Sequence, residues 1–179
     1  AGYRDEICCM KLKTRIIMKS IGFALLGLLL SSVVMKAEVI SGKVVAVIDG
    51  NTVQVYTSDN ETYKILLYGI DCPELGQEFG EKAKMFLEKL ALNKSVNAEI
   101  QGKDRWGNRL AVILIDGKDP RETLLQEGLA WTAERSPIEA LEAIKEKSKQ
   151  KGRGLWKEQD PTPPWVYRRQ QTMTQPKSS

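Results

Sequence analysis

Residues 39–57 read VISGKVVAVIDGNTVQVYT and set the architecture of the chain. Residues 39–48 are rich in β-branched side chains and predict a strand. Residues 49–51, Asp-Gly-Asn, have the composition of a tight turn. From Thr52 onward apolar and polar residues alternate, as expected for a strand with one buried face. We therefore predict two neighbouring strands joined by a polar turn.

The pattern that follows extends these strands into a barrel. A second turn at residues 58–61 leads into a third predicted strand over 62–70. Apolar residues at helical spacing then predict a helix over 78–92. Two more strands are predicted over 95–101 and 110–115. Five strands with a helix between the third and the fourth are the layout of an OB-type barrel.

Capping signals predict helices on the C-terminal side. Asp119-Pro120 begins a short helix that Gly128 can end. Ser136-Pro137 begins a second helix that runs toward Lys151. The predicted fold class is therefore α+β and mainly β: a five-stranded OB-type barrel with a helix between strands 3 and 4 and with C-terminal helices.

The chain divides into three predicted parts: a leader (1–37), the OB-type domain (38–157), and a Pro-rich strap with a disordered tail (158–179). Residues 21–35 are apolar or small and follow basic residues, but they are fewer than the roughly 20 residues that cross a bilayer. This order predicts a signal peptide cleaved after Ala37, and export to the periplasm or the extracellular space. The alternative is an uncleaved N-terminal anchor and a membrane-anchored protein.

Composition excludes several chemistries. The chain has no His, which excludes Ser-His-Asp and Cys-His catalysis and His-ligated zinc. Cys72 is alone after the leader and has no His to activate it, so we expect a small buried or half-buried residue. The net charge of +4 comes entirely from residues 1–37, and the rest sums to zero. The charge of the folded part therefore does not favour nucleic acid as a partner.

Three short motifs carry the chemistry: DGNT at 49–52, GIDCPE at 69–74 and DRWGN at 104–108. In order and spacing they resemble the thermonuclease, or staphylococcal nuclease-like, family. The resemblance covers about residues 39–169 and includes the stretch Pro-Pro-Trp-x-Tyr-Arg near the C-terminus. It implies an OB-type barrel and calcium-dependent hydrolysis of phosphodiester bonds in DNA or RNA.

The resemblance also implies a calcium site and a general base. The metal ligands would be Asp71, Asn51 and the backbone carbonyl of Thr52, and Glu74 would be the base that activates water. Asn51 stands where the family has Asp, so one ligand charge is lost. Because calcium affinity depends on the number of charged ligands, we expect Ca²⁺ binding to be weak or absent.

Leu66 and Asn108 stand where the family has two Arg residues that clamp phosphate. Lys64 lies two residues before Leu66, on the same face of the strand, and is a weak substitute because it lacks the bidentate fork of Arg. Arg109 is a second weak substitute. It follows Asn108 directly, so in a regular strand its side chain points to the opposite face.

Trp106 and Arg105 are the candidate substrate-binding residues. Trp106 stands where the family has Tyr, and its ring can stack on a base or a sugar. Arg105 adds a positive charge beside it. The alternative reading of Trp106 is an exposed loop aromatic or a contact with a protein partner.

These substitutions predict a thermonuclease-family domain with weak or lost activity. A preorganised donor contributes about 10²–10³ in rate, and the resemblance implies that two are missing. The alternative is a non-catalytic OB-fold binding module, a pseudoenzyme, or an accessory subunit of an exported or membrane-associated complex. A membrane partner is expected only if the leader stays uncleaved.

Overall fold

The computed structural model describes residues 38–174, so the predicted leader and residues 175–179 lie outside the described range. In chain order the elements are β1 (Val39–Asp49), β2 (Thr52–Thr57), β3 (Thr62–Leu67), β4 (Ile70–Asp71), α1 (Gly80–Ala91), β5 (Ser95–Lys103), β6 (Arg109–Leu114), α2 (Pro120–Gln126), β7 (Trp131–Thr132), α3 (Glu139–Gln150), a 3-10 helix (Gly154–Lys157) and α4 (Pro164–Thr174). Within this range no helix combines the length and the apolar character that spanning a bilayer requires.

Five of these strands close a barrel in the order β1-β2-β3-β6-β5. β3 and β6 run parallel, and the other neighbours in the barrel run antiparallel. Helix α1 lies between the third and the fourth barrel strand in sequence and packs against β1. The prediction of an α+β fold built on an OB-type barrel is confirmed.

The barrel interior is filled by the side chains that the alternation placed on one face. Val44, Val53, Ile65 and Ile113 are completely buried there. Leu87 of α1 is completely buried as well, because the apolar stripe of the helix faces the barrel. The residues that form the candidate site lie outside this core, at the ends of the strands.

The third predicted strand, over 62–70, is wrong at its C-terminal end. β3 stops at Leu67, and the backbone NH of Tyr68 donates to the carbonyl of Ala111. Gly69 then adopts a φ of 85°, a left-handed conformation that side chains disfavour and that turns the chain away from the barrel. Alternation alone could not show this break, because Gly69 lies within an otherwise apolar run. The turn delivers Ile70 and Asp71 to a separate small sheet.

That small sheet consists of β4 and β7, with Asp71 opposite Trp131 and Ile70 opposite Thr132. Helix α3 fixes β7 from outside, because the hydroxyl of Thr132 donates to the Glu142 carboxylate. Lys145 also donates to Glu142. Burial alone would raise the pKa of the Glu142 carboxyl, but these hydrogen bonds outweigh burial and the net shift is downward. Glu142 therefore helps to position the strand that carries Asp71.

Glu142→Gln is expected to lower the free energy of unfolding by about 0.5–1 kcal/mol at neutral pH, since water screens this partly exposed group. The pKa of Glu142 is lower in the folded chain than in the unfolded one. Its stabilisation is therefore present above the unfolded pKa and is lost as the pH falls through the folded pKa. Urea unfolding at several pH values checks this: the two proteins should converge in acid, and a pH-independent difference would contradict the assignment.

The C-terminal segment differs from the prediction of a strap and a disordered tail over 158–179. Residues 164–174 form helix α4. Pro164 supplies a fixed φ at the first helical position, which favours helix initiation. The Trp165 ring contacts Trp131 edge to face, with centroids 5.6 Å apart. Composition indicated disorder here, but this tertiary contact and the ion pairs described below order the helix. The remaining boundaries of the three predicted parts stay predictions.

Candidate active site

A cleft of about 860 Å³ opens where the 49–52 turn, the end of β3, β4, the 104–108 loop and helix α4 meet. It is lined by carboxylates, by amides and by basic groups: Asp49, Asn51, Lys64, Asp71, Glu74, Asp104, Arg105, Asn108, Glu134, Arg135 and Arg168. All three sequence motifs reach this cleft. The distant motifs are therefore brought together, as the resemblance implied.

The 49–52 turn is held by its own first residue. The Asp49 carboxylate accepts a hydrogen bond of 2.8 Å from the backbone NH of Asn51. Gly50 leaves no room for a side chain, because a Cβ there would lie 2.6 Å from the Cβ of Ala83. The turn therefore packs against α1, and this contact fixes where Asn51 and Thr52 enter the cleft. Thr52 is buried and begins β2.

The Asn51 side chain carries an unusual oxygen. Its Oδ1 is buried and accepts no hydrogen bond from any residue within 38–174. A buried oxygen without a donor costs free energy, on the order of 1–3 kcal/mol. Such an oxygen at the edge of a polar cleft is a natural ligand for a cation.

Asp71 is bound by an arginine from the C-terminal helix. Arg168 Nη1 donates to Asp71 Oδ1 at 3.1 Å, and Nη2 donates to Oδ2 at 2.7 Å. This is the bidentate fork–fork geometry of a strong ion pair. Burial raises the pKa of the Asp71 carboxyl, and the guanidinium opposes this rise without cancelling it. Asp71 and Glu74 hold the pKa of Arg168 above its usual value, so Arg168 is always charged.

Glu74 shares the same guanidinium. Arg168 Nη1 also donates to Glu74 Oε1 at 2.6 Å, so one arginine bridges the proposed metal ligand and the proposed base. The Glu74 side chain is 38% exposed, which leaves it open to water. Its backbone is fixed by the turn that precedes α1, where the NH of Gln77 donates to the Glu74 carbonyl at 2.8 Å.

Helix α4 is anchored on both sides of Arg168. The Tyr167 hydroxyl donates to the carbonyl of Gly76 at 3.0 Å. The Gln77 side chain donates to the carbonyl of Thr162 in the strap. Arg169 forms a long ion pair of 3.4 Å with Glu134. Together with the contact of Trp165 described above, these bonds place the Arg168 side chain at the cleft.

The 104–108 loop is organised around Asp104. Its Oδ1 accepts from the backbone NH groups of Trp106 and Asn108, each at 2.9 Å, and its Oδ2 accepts from the Asn108 side chain at 2.7 Å. Slight burial would raise the pKa of Asp104, but these hydrogen bonds and the charge of Lys64 lower it overall. Asn108 is therefore engaged within its own loop, and Lys64 lies close enough to Asp104 to act on its charge.

Trp106 and Arg105 form the outer edge of the loop. The Trp106 side chain is 70% exposed, and the Arg105 guanidinium lies 3.9 Å from the centroid of its ring. Arg105 and Trp106 both line the cleft. An exposed ring beside a cation suits stacking with a nucleobase. The two predicted substrate-binding residues therefore lie together at the mouth of the cleft.

The two predicted substitutes for the clamps behave differently. Lys64 lines the cleft beside Leu66, as the strand periodicity predicted. Arg109 lies outside the cleft: its side chain pairs with Glu38 at 3.4 Å and stacks over Tyr63 at 4.6 Å. No turn relaxes the alternation at β6, so Arg109 faces away. The suggestion that Arg109 could replace a clamp is therefore wrong for this structure.

Cys72 is buried, as expected, and its thiol donates to the carbonyl of Gly50 at 3.1 Å. Burial and the neighbouring carboxylates, Asp71 first among them, raise the pKa of the thiol well above its usual value. A thiol that stays protonated is a poor nucleophile. Cys72 therefore supports the turn and takes no part in the chemistry that the cleft can perform.

The donors in the cleft fit a hard divalent cation in kind. They are carboxylate and amide oxygens, which suit Ca²⁺ and not the softer metals. The Asn51 oxygen described above also lacks a donor of its own. Within the described residues, however, no three Asp, Glu or Cys side chains are close enough together to hold a metal ion. The carboxylates alone are therefore insufficient, and Asn51 would have to complete the site.

Comparison with known proteins identifies the family of this chain. A family model described as "Staphylococcal nuclease homologue" matches residues 64–158. The chain belongs to the staphylococcal nuclease family. An "Uncharacterized endonuclease" of Escherichia coli is 33% identical over 131 residues, which are 72% of this chain and 85% of that protein. An "Uncharacterized endonuclease" of Haemophilus influenzae is 36% identical over 132 residues, or 72% of this chain and 73% of that protein.

A third relative, the "Micrococcal nuclease" of Shigella flexneri, is 31% identical over 140 residues. These residues are 72% of this chain and 80% of that protein. The predicted family is therefore confirmed, and the described domain is a staphylococcal nuclease-like domain.

The predicted site omits several charged residues of the cleft, including Asp49 and Arg168. Asp49 is the first residue of the DGNT motif and was read only as part of a turn. Arg168 ends the Pro-Pro-Trp-x-Tyr-Arg stretch, which supported the staphylococcal nuclease resemblance but was assigned no role. The signal for Asp49 was a carboxylate two residues before a candidate ligand. For Arg168 no local signal existed, because it reaches Asp71 only through the fold.

Proposed function

We propose that the domain is a hydrolase of phosphodiester bonds in DNA or RNA with a low intrinsic rate. The observation that carries this proposal is the convergence of Asp71, Glu74 and Asn51 in one cleft whose mouth holds Trp106 and Arg105. An acid pair for water activation, beside basic and aromatic groups for a nucleotide, is what the reaction requires.

Glu74 is the proposed general base. Its Oε1 is oriented by Arg168, and its other oxygen can accept a proton from a water that attacks phosphorus. Lys64 would balance part of the negative charge that grows on the phosphate, and Arg105 would bind an adjoining phosphate. While no ion occupies the site, Asp71 holds Arg168 in place, which also keeps Glu74 oriented.

Asp71, the Asn51 side-chain oxygen and the carbonyl of Thr52 would hold Ca²⁺. When bound, the ion would polarise a phosphate oxygen as a Lewis acid. The low rate that we propose follows from the chain's own residues. Asn51 brings no charge, Leu66 offers no donor, and Asn108 is committed to Asp104.

Hydrolysis of single-stranded DNA and RNA oligonucleotides in Ca²⁺ tests the proposal. The described domain should cleave slowly, and Glu74→Gln should reduce that rate by about 10²-fold or more, since a positioned base contributes this much. Glu81→Gln is the matched control, because it removes the same charge from an exposed position of α1 outside the cleft. A rate that Glu74→Gln leaves unchanged would reject Glu74 as the base.

The second candidate is a non-catalytic OB-fold module that binds a protein or nucleic acid partner. The contacts of Arg168 with both carboxylates favour it, since they leave Asp71 without a free oxygen. In the same assay this module would show no cleavage above Glu74→Gln but would retain oligonucleotide or protein binding.

We also propose that the protein is exported, from the basic and apolar order of residues 1–37. Membrane attachment through an uncleaved leader is the competing proposal. N-terminal sequencing of the protein recovered from its native compartment separates the two: a start at Glu38 supports cleavage, and an intact leader supports the anchor.

A further inference from the structure

We propose that Arg168 is the resident cation of this cleft: it binds the substrate phosphate without a divalent ion, and it competes with divalent ions for Asp71. The inference rests on the proposed function only in taking a nucleotide phosphate as the ligand. It assigns to the C-terminal helix the positive charge that the barrel strands lack.

The hydrogen bonds of Arg168 leave it capable of binding a further anion. A guanidinium has five N–H donors. Two reach Asp71 and one reaches Glu74, so the Nε–H and one Nη–H remain for another acceptor. The Arg168 side chain is 46% exposed on the cleft side of the helix. A phosphate can therefore reach this group without breaking the ion pairs.

The other basic groups of the cleft are placed less favourably. Arg105 stacks on Trp106, and Lys64 lies near Asp104. Arg135 is exposed in the loop after β7. Arg168 is the basic side chain that contacts the proposed base itself. A phosphate bound to Arg168 would therefore lie next to Glu74, where water must be activated.

Anchoring makes this arginine effective. A flexible side chain that the ligand must order loses conformational entropy on binding, which weakens the affinity. Here Trp165 and Tyr167 dock the helix, and Asp71 orders the guanidinium before any ligand arrives. Arg168 is thus preorganised in the way that catalytic donors are.

The same contacts oppose a divalent ion. Both oxygens of Asp71 accept from Arg168, so a cation that uses Asp71 must displace at least one of these bonds. The two cations would also repel each other at this short distance. Removing Arg168 should therefore weaken phosphate binding and strengthen Ca²⁺ binding, which are opposite changes from a single substitution.

The test measures binding, with thymidine bisphosphate in EDTA and with Ca²⁺ alone as the two probes. Arg168→Gln should weaken the affinity for the bisphosphate at least about tenfold, which is the contribution of one charge-assisted hydrogen bond. The same substitution should strengthen the affinity for Ca²⁺ by a similar factor. Arg168→Lys keeps the charge without the fork, so it should lose bisphosphate affinity by less than Arg168→Gln does.

Arg153→Gln is the matched control, since Arg153 has similar exposure, pairs with Glu127 at 3.4 Å and lies outside the cleft. It should leave both affinities unchanged. Thermal unfolding of each variant shows that the barrel remains folded. If Arg168→Gln binds Ca²⁺ more tightly but binds the bisphosphate as before, Arg168 only blocks the ion site and the proposal is overturned. Weaker bisphosphate binding with unchanged Ca²⁺ affinity would overturn it as well. The effect of Glu74→Gln on hydrolysis is measured in a separate assay. The role of Glu74 as the base can therefore be rejected without rejecting the role of Arg168, and the reverse also holds.

Discussion

The combined variant Asn51→Asp, Leu66→Arg and Asn108→Arg is expected to hydrolyse oligonucleotides in Ca²⁺ about 10²–10³-fold faster than the unaltered chain. The substitutions restore one ligand charge and two guanidinium donors at the positions where the family resemblance implies them. Each restored donor acts on charge that develops in the transition state, so the gain should appear in kcat more than in KM.

The structure shows why the three positions can accept these side chains. Leu66 pairs with Thr52 of β2 on one side and with Leu110 of β6 on the other. Its side chain lines the cleft, so an Arg at this position would extend into the cleft. Asn108 lines the cleft too and already contacts Asp104, beyond which a longer Arg can extend. At Asn51 a carboxylate has nearly the shape of the present amide, and a bound Ca²⁺ would compensate the charge of its buried oxygen.

The single substitutions are expected to give smaller gains than their product suggests, because groups that act on one transition state are not additive. Adding Glu74→Gln to the combined variant is the control, and it should remove the gained activity. A combined variant that remains folded and binds Ca²⁺ but cleaves no faster would show that the cleft has lost more than these three side chains.

Sequence reasoning predicted the barrel well because its signals are local. Alternation placed Val53 and Ile65 inside, and helical spacing placed Leu87 on the barrel, and each is completely buried. It also predicted that Lys64 and Leu66 share a face, since residues two apart along a strand always do. The same periodicity predicted that the Arg109 side chain points away from the cleft, and it stacks over Tyr63 instead.

The parts that sequence reasoning missed depend on contacts between distant segments. Gly69 breaks the third strand, and the resulting β4 is stable only because it pairs with β7 about 60 residues later. Helix α4 has a polar composition that suggests disorder, but the Trp165 ring packs against Trp131 and Arg168 forms an ion pair with Asp71. No local pattern encodes which carboxylate a C-terminal arginine will meet. The electrostatics of the site could therefore not be derived before the fold.

The Asp119→Ala substitution is expected to lower the free energy of unfolding by about 3 kcal/mol or more, because it leaves the buried Arg121 without a charged partner. The Asp119 and Arg121 side chains are only 12% and 10% exposed, and Arg121 Nη2 donates to Asp119 Oδ2 at 2.6 Å. Asp119 also caps α2 by accepting from the backbone NH of Arg121 at 2.9 Å. Loss of the cap alone costs about 1 kcal/mol.

The remaining contact of Arg121 links this pair to the cleft. Its Nη1 donates to the carbonyl of Tyr68 at 2.8 Å, at the turn that carries the chain from β3 to Asp71. Without Asp119 the guanidinium would keep only this neutral acceptor, and it would be drawn toward solvent. Asp119→Ala should therefore disturb the Tyr68–Gly69 turn as well as α2, and it should weaken bisphosphate binding although it lies outside the cleft.

Urea unfolding of four proteins measures the pair: the unaltered chain, Asp119→Ala, Arg121→Met and the double variant. The double variant should lose less than the sum of the single losses, because an apolar residue leaves no buried charge unpaired. Glu127→Ala, which breaks the exposed pair with Arg153, should cost less than about 1 kcal/mol. Additive losses would mean that Asp119 acts mainly as a cap. Strong coupling would mean that a buried ion pair fixes the turn from which Asp71 reaches the cleft.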